Sequence, residues 1–156
     1  MKEITIKFRA ATEADLPSIV QMLADDEIGQ SREDPRLPLS SVYTDAFSAI
    51  NADKNQLLAV AVAEGDTVVG TLQLSFVPGV ARMGAWRGQI EAVRIAASHR
   101  NSGLGQEMFE WAIEECRNRN CMLVQLTTDK SRPDAHRFYE SLGFEATHEG
   151  YKLKLL

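Results

Sequence analysis

Residues 100–105 read Arg100-Asn101-Ser102-Gly103-Leu104-Gly105, and they separate an apolar run, Ile90 to Ala97, from an amphipathic run, Leu104 to Arg119. This order predicts a strand, a short turn and the start of a helix. The first turn of a helix leaves about four backbone N–H groups without partners and carries roughly half a positive charge. Because glycines let a ligand approach the backbone closely, the turn predicts a binding site for a phosphate or pyrophosphate.

Several kinds of glycine loop are compatible with such a turn. A dinucleotide fingerprint needs a third small residue, but this chain has Met108 there, and a Walker loop needs Gly-Lys-Ser/Thr, whereas Gln106 follows Gly105. A third glycine-loop pattern, R-x-x-G-x-G, is matched at its three required positions by Arg100, Gly103 and Gly105. An ordinary strand–turn–helix junction with a glycine hinge is the remaining alternative.

Hydrophobic periodicity predicts one α/β domain over residues 1–156, with a mixed sheet of about seven strands and four helices. An antiparallel meander should come first, and the unit at 90–127 should be a parallel crossover. Strands are expected at residues 4–8, 57–63, 68–77, 90–97, 122–127, 144–147 and 151–156. Helices are expected at residues 16–23, 42–50, 104–119 and 133–142.

Composition excludes several classes of protein. The net charge is −5 and no dense Lys/Arg cluster occurs, which argues against a nucleic-acid partner. No apolar run approaches the roughly 20 residues that span a bilayer, so no membrane association is expected. Two cysteines, Cys116 and Cys121, are too few for a disulfide framework and fit a reducing, cytoplasmic location. The three histidines have no metal-ligand spacing, and we expect no metal.

A second motif decides between the glycine-loop alternatives. The block Ala135–Phe144 ends in Tyr139-Glu140-Ser141-Leu142-Gly143-Phe144, and the chain opens with Arg9-Ala10-Ala11-Thr12-Glu13-Ala14-Asp15-Leu16. Together with the strand and turn at 90–105, these blocks resemble the GCN5-related N-acetyltransferase (GNAT) family over essentially the whole chain. The resemblance implies a GNAT-like sheet with a splayed central pair of parallel strands, and transfer of an acetyl group from acetyl-CoA to a primary amine.

The resemblance also implies how the cofactor would bind. The backbone of Val93, Arg94 and Ile95 would hydrogen-bond the pantetheine arm in the gap between the splayed strands. The pyrophosphate would lie on N–H groups of Arg100, Asn101, Ser102, Gly103, Leu104 and Gly105, with a charge-assisted contact from the Arg100 side chain. Phe138 would either contact the arm or belong to the core. Many relatives have Asn seven residues before the tyrosine; here that residue is Arg132, which would reach the phosphates or face solvent.

Acetyl transfer needs a base and an acid. An alkylammonium with a pKa near 10.4 must lose a proton before it attacks, and the departing thiolate must gain one. The resemblance assigns Glu91 as the base, directly or through water, with a structural carboxylate as the alternative. It assigns Tyr139 as the acid toward the sulfur of CoA, with a core tyrosine as the alternative. A backbone N–H near Val93 would stabilise the oxyanion.

The acceptor should enter past residues 25–39 and 78–86. Asp25-Asp26-Glu27 would suit a cation, but arginines lie in the same two regions, so a basic amine and an amine that carries a carboxylate both stay open. A small-molecule amine is the first choice of acceptor. The alternatives are a protein lysine or N-terminal acetyltransferase and a non-catalytic acyl-CoA-binding sensor, and a homodimer is also considered.

Overall fold

The computed structural model describes residues 5–156, so the predicted strand residue Ile4 lies outside it. Within this range one sheet has the strand order β1-β2-β3-β4-β5. Neighbouring strands are antiparallel except β4 and β5, which are parallel, so the mixed sheet and its antiparallel meander are confirmed. The strands are β1 Lys7–Ala10, β2 Gln56–Ala63, β3 Thr67–Val77, β4 Arg87–Ile95 and β5 Leu123–Gln125.

Residues 5–156 contain five α-helical segments rather than the four that were predicted. They are α1 Leu16–Ala24, α2 Ser41–Ala52, α3 Ala81–Gly84, α4 Leu104–Asn118 and α5 Pro133–Ser141. The unpredicted α3 is a single turn in which Arg82 and Met83 have φ values of 56° and 59°. The turn is held by the backbone hydrogen bond from Gly84 N to Val80 O at 3.0 Å. Because it has only four residues, it shows no hydrophobic period from which a helix could be predicted.

The predicted count of seven strands is wrong for the part of the chain that the structure describes. The expected hairpin of residues 144–147 and 151–156 forms no strands, and every residue from 145 to 156 is exposed. The free sheet edge that would receive it belongs to β5, which has only three residues and offers few backbone partners. Tyr151, Leu153 and Leu155 are therefore 84–90% exposed although they alternate with lysines as strand residues do.

The two faces of the sheet are covered by different helices. On one face α4 buries Met108, Ala112 and Cys116 against the sheet, which confirms the amphipathic helix predicted there. The helix approaches β4 so closely that a Cβ on Gly88 would lie 2.3 Å from the Sγ of Cys116. Burial, with a smaller contribution from Cys121, raises the pKa of the Cys116 thiol to about 12. Among residues 5–156 no helix is long and apolar enough to cross a membrane.

The opposite face is covered by α1 and α2. Leu16 and Ile19 of α1 pack against Val60 and Val62 of β2, and Phe47 of α2 joins the same cluster. Helix α1 is preceded by a capping box, in which Asp15 accepts a hydrogen bond from Thr12 N at 2.8 Å. These apolar contacts cover only part of the face, and the remainder carries polar residues.

Asp15 also anchors the first strand. Arg9 donates two hydrogen bonds to its carboxylate, at 2.7 and 3.1 Å. The Arg9 hydrogen bond is the largest influence on this carboxyl and, with those from Thr12, lowers its pKa despite burial. The pair therefore joins β1 to the start of α1.

Candidate active site

The parallel strands β4 and β5 pair over only three residues. Their register ends at Gln89 opposite Gln125, whereas β4 continues to Ile95. The β5-facing side of residues 90–95 therefore has no strand partner among residues 5–156. Val93, Arg94 and Ile95 lie on this open edge, which can accept hydrogen bonds from, and donate them to, an extended ligand.

A β-bulge interrupts β4 beside this edge. Gln73 of β3 lies opposite Glu91, but Thr71 lies opposite Arg94, so β4 has one extra residue there. Ala92 has a φ of 54°, a conformation that is uncommon for a residue with a side chain. The bulge bends the strand directly after Glu91, whose side chain is exposed.

The turn at residues 100–105 forms a backbone cradle at the start of α4. Asn101 and Gly103 have φ values of 59° and 86°. Within the described part of the chain, the N–H groups of residues 101–106 donate to no acceptor. A Cβ on Gly103 would meet no atom within 4 Å, so the cradle is open to an incoming group. Unpartnered N–H groups at a helix N-terminus are suited to bind phosphate oxygens.

The side chain of Arg100 contacts the end of α1. Its Nη2 lies 3.2 Å from the backbone oxygen of Asp25 and 3.3 Å from its carboxylate, and its Nε donates to Ile95 O at 3.3 Å. The guanidinium is about half exposed. Arg100 therefore lies beside the cradle with its charge partly balanced by Asp25.

Asp26 connects two arginines. Its Oδ2 lies 2.9 Å from Arg94 Nε, as an ion pair without an aligned hydrogen bond, and 3.8 Å from Arg132 Nη2. Burial alone would raise the pKa of the Asp26 carboxyl, but the N–H of Gly29 and the two arginines outweigh it and lower the pKa. Arg132 thus faces a carboxylate and solvent in this structure, at the residue before α5.

Tyr139 and Phe138 lie together on α5 against Phe109 of α4, with both ring centroids 5.5 Å from that of Phe109. Burial raises the pKa of the Tyr139 hydroxyl, and the charges of Arg132 and Arg94 oppose that rise. The phenol therefore stays protonated over a wide pH range, as a proton donor must. Phe138 also lies at contact distance from the cradle, because a Cβ on Gly105 would be 3.7 Å from its ring.

The structure brings several of the expected residues into one region. The open edge of β4, the cradle and α5 surround it, and Tyr139 is close enough to Arg94 and Arg132 for their charges to act on its pKa. The sequence interpretation assigned Asp25 and Asp26 to the acceptor and missed their contacts with arginines. The available signal was the pair of adjacent carboxylates directly after α1, but their partners lie far away in sequence.

Comparisons with known proteins identify the family. The model of the acetyltransferase (GNAT) family matches residues 17–144. An aminoalkylphosphonate N-acetyltransferase from Salmonella typhimurium is 31% identical over 106 residues, which are 68% of each chain. A transcriptional regulator from Bacillus halodurans is 48% identical, with a TM-score of 0.93 and coverage of 97% of this chain and 100% of that one. An acetyltransferase from Trypanosoma brucei is 26% identical, with a TM-score of 0.78 and coverage of 97% and 100%. The chain belongs to the acetyltransferase (GNAT) family.

Proposed function

We propose that this protein transfers an acetyl group from acetyl-CoA to the primary amine of a small molecule. The observation that carries the proposal is the combination of an open strand edge at residues 90–95 with the unpartnered N–H groups of residues 101–106. An extended amide-bearing arm fits the first, and a pyrophosphate fits the second. The named N-acetyltransferase among the relatives supports the reaction class.

In this proposal the cofactor is held mainly by backbone. Val93, Arg94 and Ile95 bond its pantetheine arm, and residues 100–105 bind its pyrophosphate. The Arg100 guanidinium, which Asp25 contacts at 3.2–3.3 Å, adds a charge-assisted contact when the phosphates arrive. Phe138 supplies an apolar wall beside Gly105.

The chemical step needs two side chains. Glu91, exposed at the bulge, takes the proton of the acceptor ammonium, directly or through water, and the free amine attacks the thioester carbonyl. The C–S bond breaks, Tyr139 donates its hydroxyl proton to the departing sulfur, and the second proton lost by the attacking nitrogen returns to the phenol as the amide forms. The raised pKa of Tyr139 keeps that proton available at neutral pH.

A second candidate is a non-catalytic acyl-CoA sensor, which the 48% identical transcriptional regulator from Bacillus halodurans favours. A sensor would bind acetyl-CoA without turnover. A protein acetyltransferase is a third candidate, and it would need a groove for an extended peptide.

The deciding experiment measures CoA release with a panel of small amines, including aminoalkylphosphonates, and with lysine peptides. We expect acetylation of a small amine, a loss of kcat in Glu91→Gln and Tyr139→Phe, and unchanged acetyl-CoA binding in both variants. Acetyl-CoA binding without turnover on any amine would support the sensor, and turnover on peptides alone would support the protein acetyltransferase.

We also propose a homodimer formed through residues 145–156, while the cytoplasmic location remains a proposal from composition. Tyr151, Leu153 and Leu155 are exposed at alternating positions. Exposed apolar side chains that lie together favour contact with another chain, here a second copy. Light scattering should give a dimer for the full chain and a monomer after removal of residues 145–156; a monomeric full chain would refute this arrangement.

A further inference from the structure

The strand register places a line of polar side chains across four strands of the sheet. Gln56 of β2 lies opposite Ser75 of β3, Ser75 lies opposite Gln89 of β4, and Gln89 lies opposite Gln125 of β5. All four residues are half-buried. Residues directly opposite each other project to the same side of a sheet, so these four, which we call the amide row, share one face.

The amide row is internally bonded yet retains hydrogen-bonding capacity. Gln125 donates to Gln89 Oε1 at 3.0 Å, and Ser75 and Gln73 both donate to Gln56 Oε1 at 3.0 Å. The amide nitrogens of Gln56 and Gln89 donate to no described residue. Amide groups on a sheet face lose solvation when they are covered by apolar groups, so a row that keeps free donors is suited to a polar ligand.

Two opposite charges on β4 flank the amide row. Gly88 and Ile90 face α4, so Arg87, Gln89 and Glu91 alternate onto the other face, which carries the row. Arg87 and Glu91 are both exposed, and neither makes an ion pair with any residue in 5–156. Four residues of extended strand separate their Cα atoms by roughly 13 Å.

We infer that Arg87, Gln89 and Glu91, which we call the acceptor strip, select a zwitterionic acceptor: a primary amine that also carries a carboxylate or phosphonate. The inference rests on the proposed function, because it uses Glu91 as the group that meets the ammonium. The anionic group of the acceptor lies at Arg87, and the free amide N–H of Gln89 donates a hydrogen bond to the same anion. This arrangement decides between the two acceptor classes that the charges of the flanking loops leave open.

The orientation follows from the position of the bulge. Glu91 is the last residue of the acceptor strip before the bulge at Ala92, and the part of the open edge that would bind the cofactor, Val93 to Ile95, lies beyond the bulge. The ammonium must therefore lie at the Glu91 end, near the thioester. Arg87 lies at the far end, where an anion is held away from the reacting atoms.

The test compares matched acceptors in steady-state acetylation: aminoethylphosphonate and β-alanine, which are zwitterions, against ethanolamine and β-alaninamide, which lack the anion. We expect the wild-type protein to prefer a zwitterion by about 10- to 100-fold in kcat/KM, the effect of one charge-assisted contact. The two zwitterions distinguish a phosphonate from a carboxylate. Equal or lower kcat/KM for the zwitterions would overturn the inference.

Variants of Arg87 test whether this residue causes the preference for zwitterions. Arg87→Gln should remove it by raising KM for the zwitterions much more than KM for the neutral amines, and the KM for acetyl-CoA, which binds beyond the bulge, is measured alongside. Arg87→Glu should shift the preference toward diamines. The matched control is Arg117→Gln, on α4 at the opposite face, where the arginine pairs with Glu114 and should not affect acceptor choice.

Failure of the inference differs from failure of the proposed function. A protein that acetylates amines but keeps its preference in Arg87→Gln, with an unchanged melting temperature, refutes the acceptor strip alone. A protein that binds acetyl-CoA and acetylates no amine of the wider panel refutes both.

Discussion

Replacing Gly103 by valine should abolish binding of CoA while leaving a folded protein. Gly103 has a φ of 86°, and a Cβ there would meet no atom within 4 Å, so the only cost to the free protein is backbone strain. That strain is about 1–2 kcal/mol. For a chain of this length it should lower the melting temperature by about 2–8 °C. We expect the valine methyl groups, however, to hinder a pyrophosphate that approaches the N–H groups of this turn.

The assay is thermal unfolding with and without CoA. A ligand at 100 times its Kd stabilises the folded state by about 2.7 kcal/mol. This corresponds to a rise of roughly 5–11 °C for the wild-type protein. Gly103→Val should show the lower starting temperature and no rise.

Gly65 provides a matched control. It has a φ of 75°, a Cβ there would also meet nothing within 4 Å, and it lies in the turn between β2 and β3. Gly65→Val should therefore cost similar stability but keep the full rise with CoA. If Gly103→Val keeps the rise, or if Gly65→Val loses it as well, the pyrophosphate role of the cradle is refuted.

Three further variants test the acid, the core and the first strand. Tyr139→Phe should lower kcat by about 10²- to 10⁴-fold, and an unchanged kcat would contradict the role of Tyr139 as the acid. Because burial raises the pKa of Tyr139, the rate of the wild-type protein should decline only above the ordinary pKa of tyrosine. Gly88→Ala should lower the free energy of unfolding by about 1–3 kcal/mol, because the new methyl group would clash with Cys116. Denaturant unfolding should show a smaller loss of stability when Cys116 is also replaced by alanine, and strictly additive losses would contradict the clash. Asp15→Asn should lower the free energy of unfolding at neutral pH by about 1.5–3 kcal/mol. Because the Arg9 hydrogen bond lowers the folded-state pKa of Asp15, the wild-type advantage exists above pH ~3.9 and disappears as the pH falls through the folded-state pKa; a pH-independent difference would contradict this.

The local structure of the glycine turn and of the block around Tyr139 was largely predictable because its signals are local. The glycine turn and the block around Tyr139 are each contiguous in sequence, and the positions of their side chains follow from one helix start and one helix face. The contacts of Asp26 were not predictable in this way. Its partners Arg94 and Arg132 are brought to it by the packing of α1 on the sheet and by the start of α5, and neither has a local pattern.

The hairpin at the end of the chain was predicted from a local pattern but does not form. Residues 151–156 alternate between apolar and lysine residues as a strand does, but the pattern describes only one partner of a ladder. Whether a strand forms depends on an edge that can accept it, and β5 presents three residues. The proposed acceptor strip could not be predicted from the sequence either. Its three residues alternate along β4, but the face that they share is known only once Gly88 and Ile90 are seen to pack toward α4.

The single extra residue in β4 separates the alternation of side chains before Ala92 from the alternation after it. Under the proposed function, the first part of the strand would contact the acceptor and the second part would contact acetyl-CoA. Without the extra residue, residues three apart would project to opposite faces, whereas Glu91 and Arg94 are both aligned with the odd-numbered residues of β3. Insertion or deletion of one residue at Ala92 would leave the acceptor strip in place and exchange inner for outer side chains from Val93 onward. Under the proposed function, substitutions before Ala92 could change with the acceptor while the part of the strand after the bulge stays constant, which would allow the fold to acquire new acceptors without losing its donor.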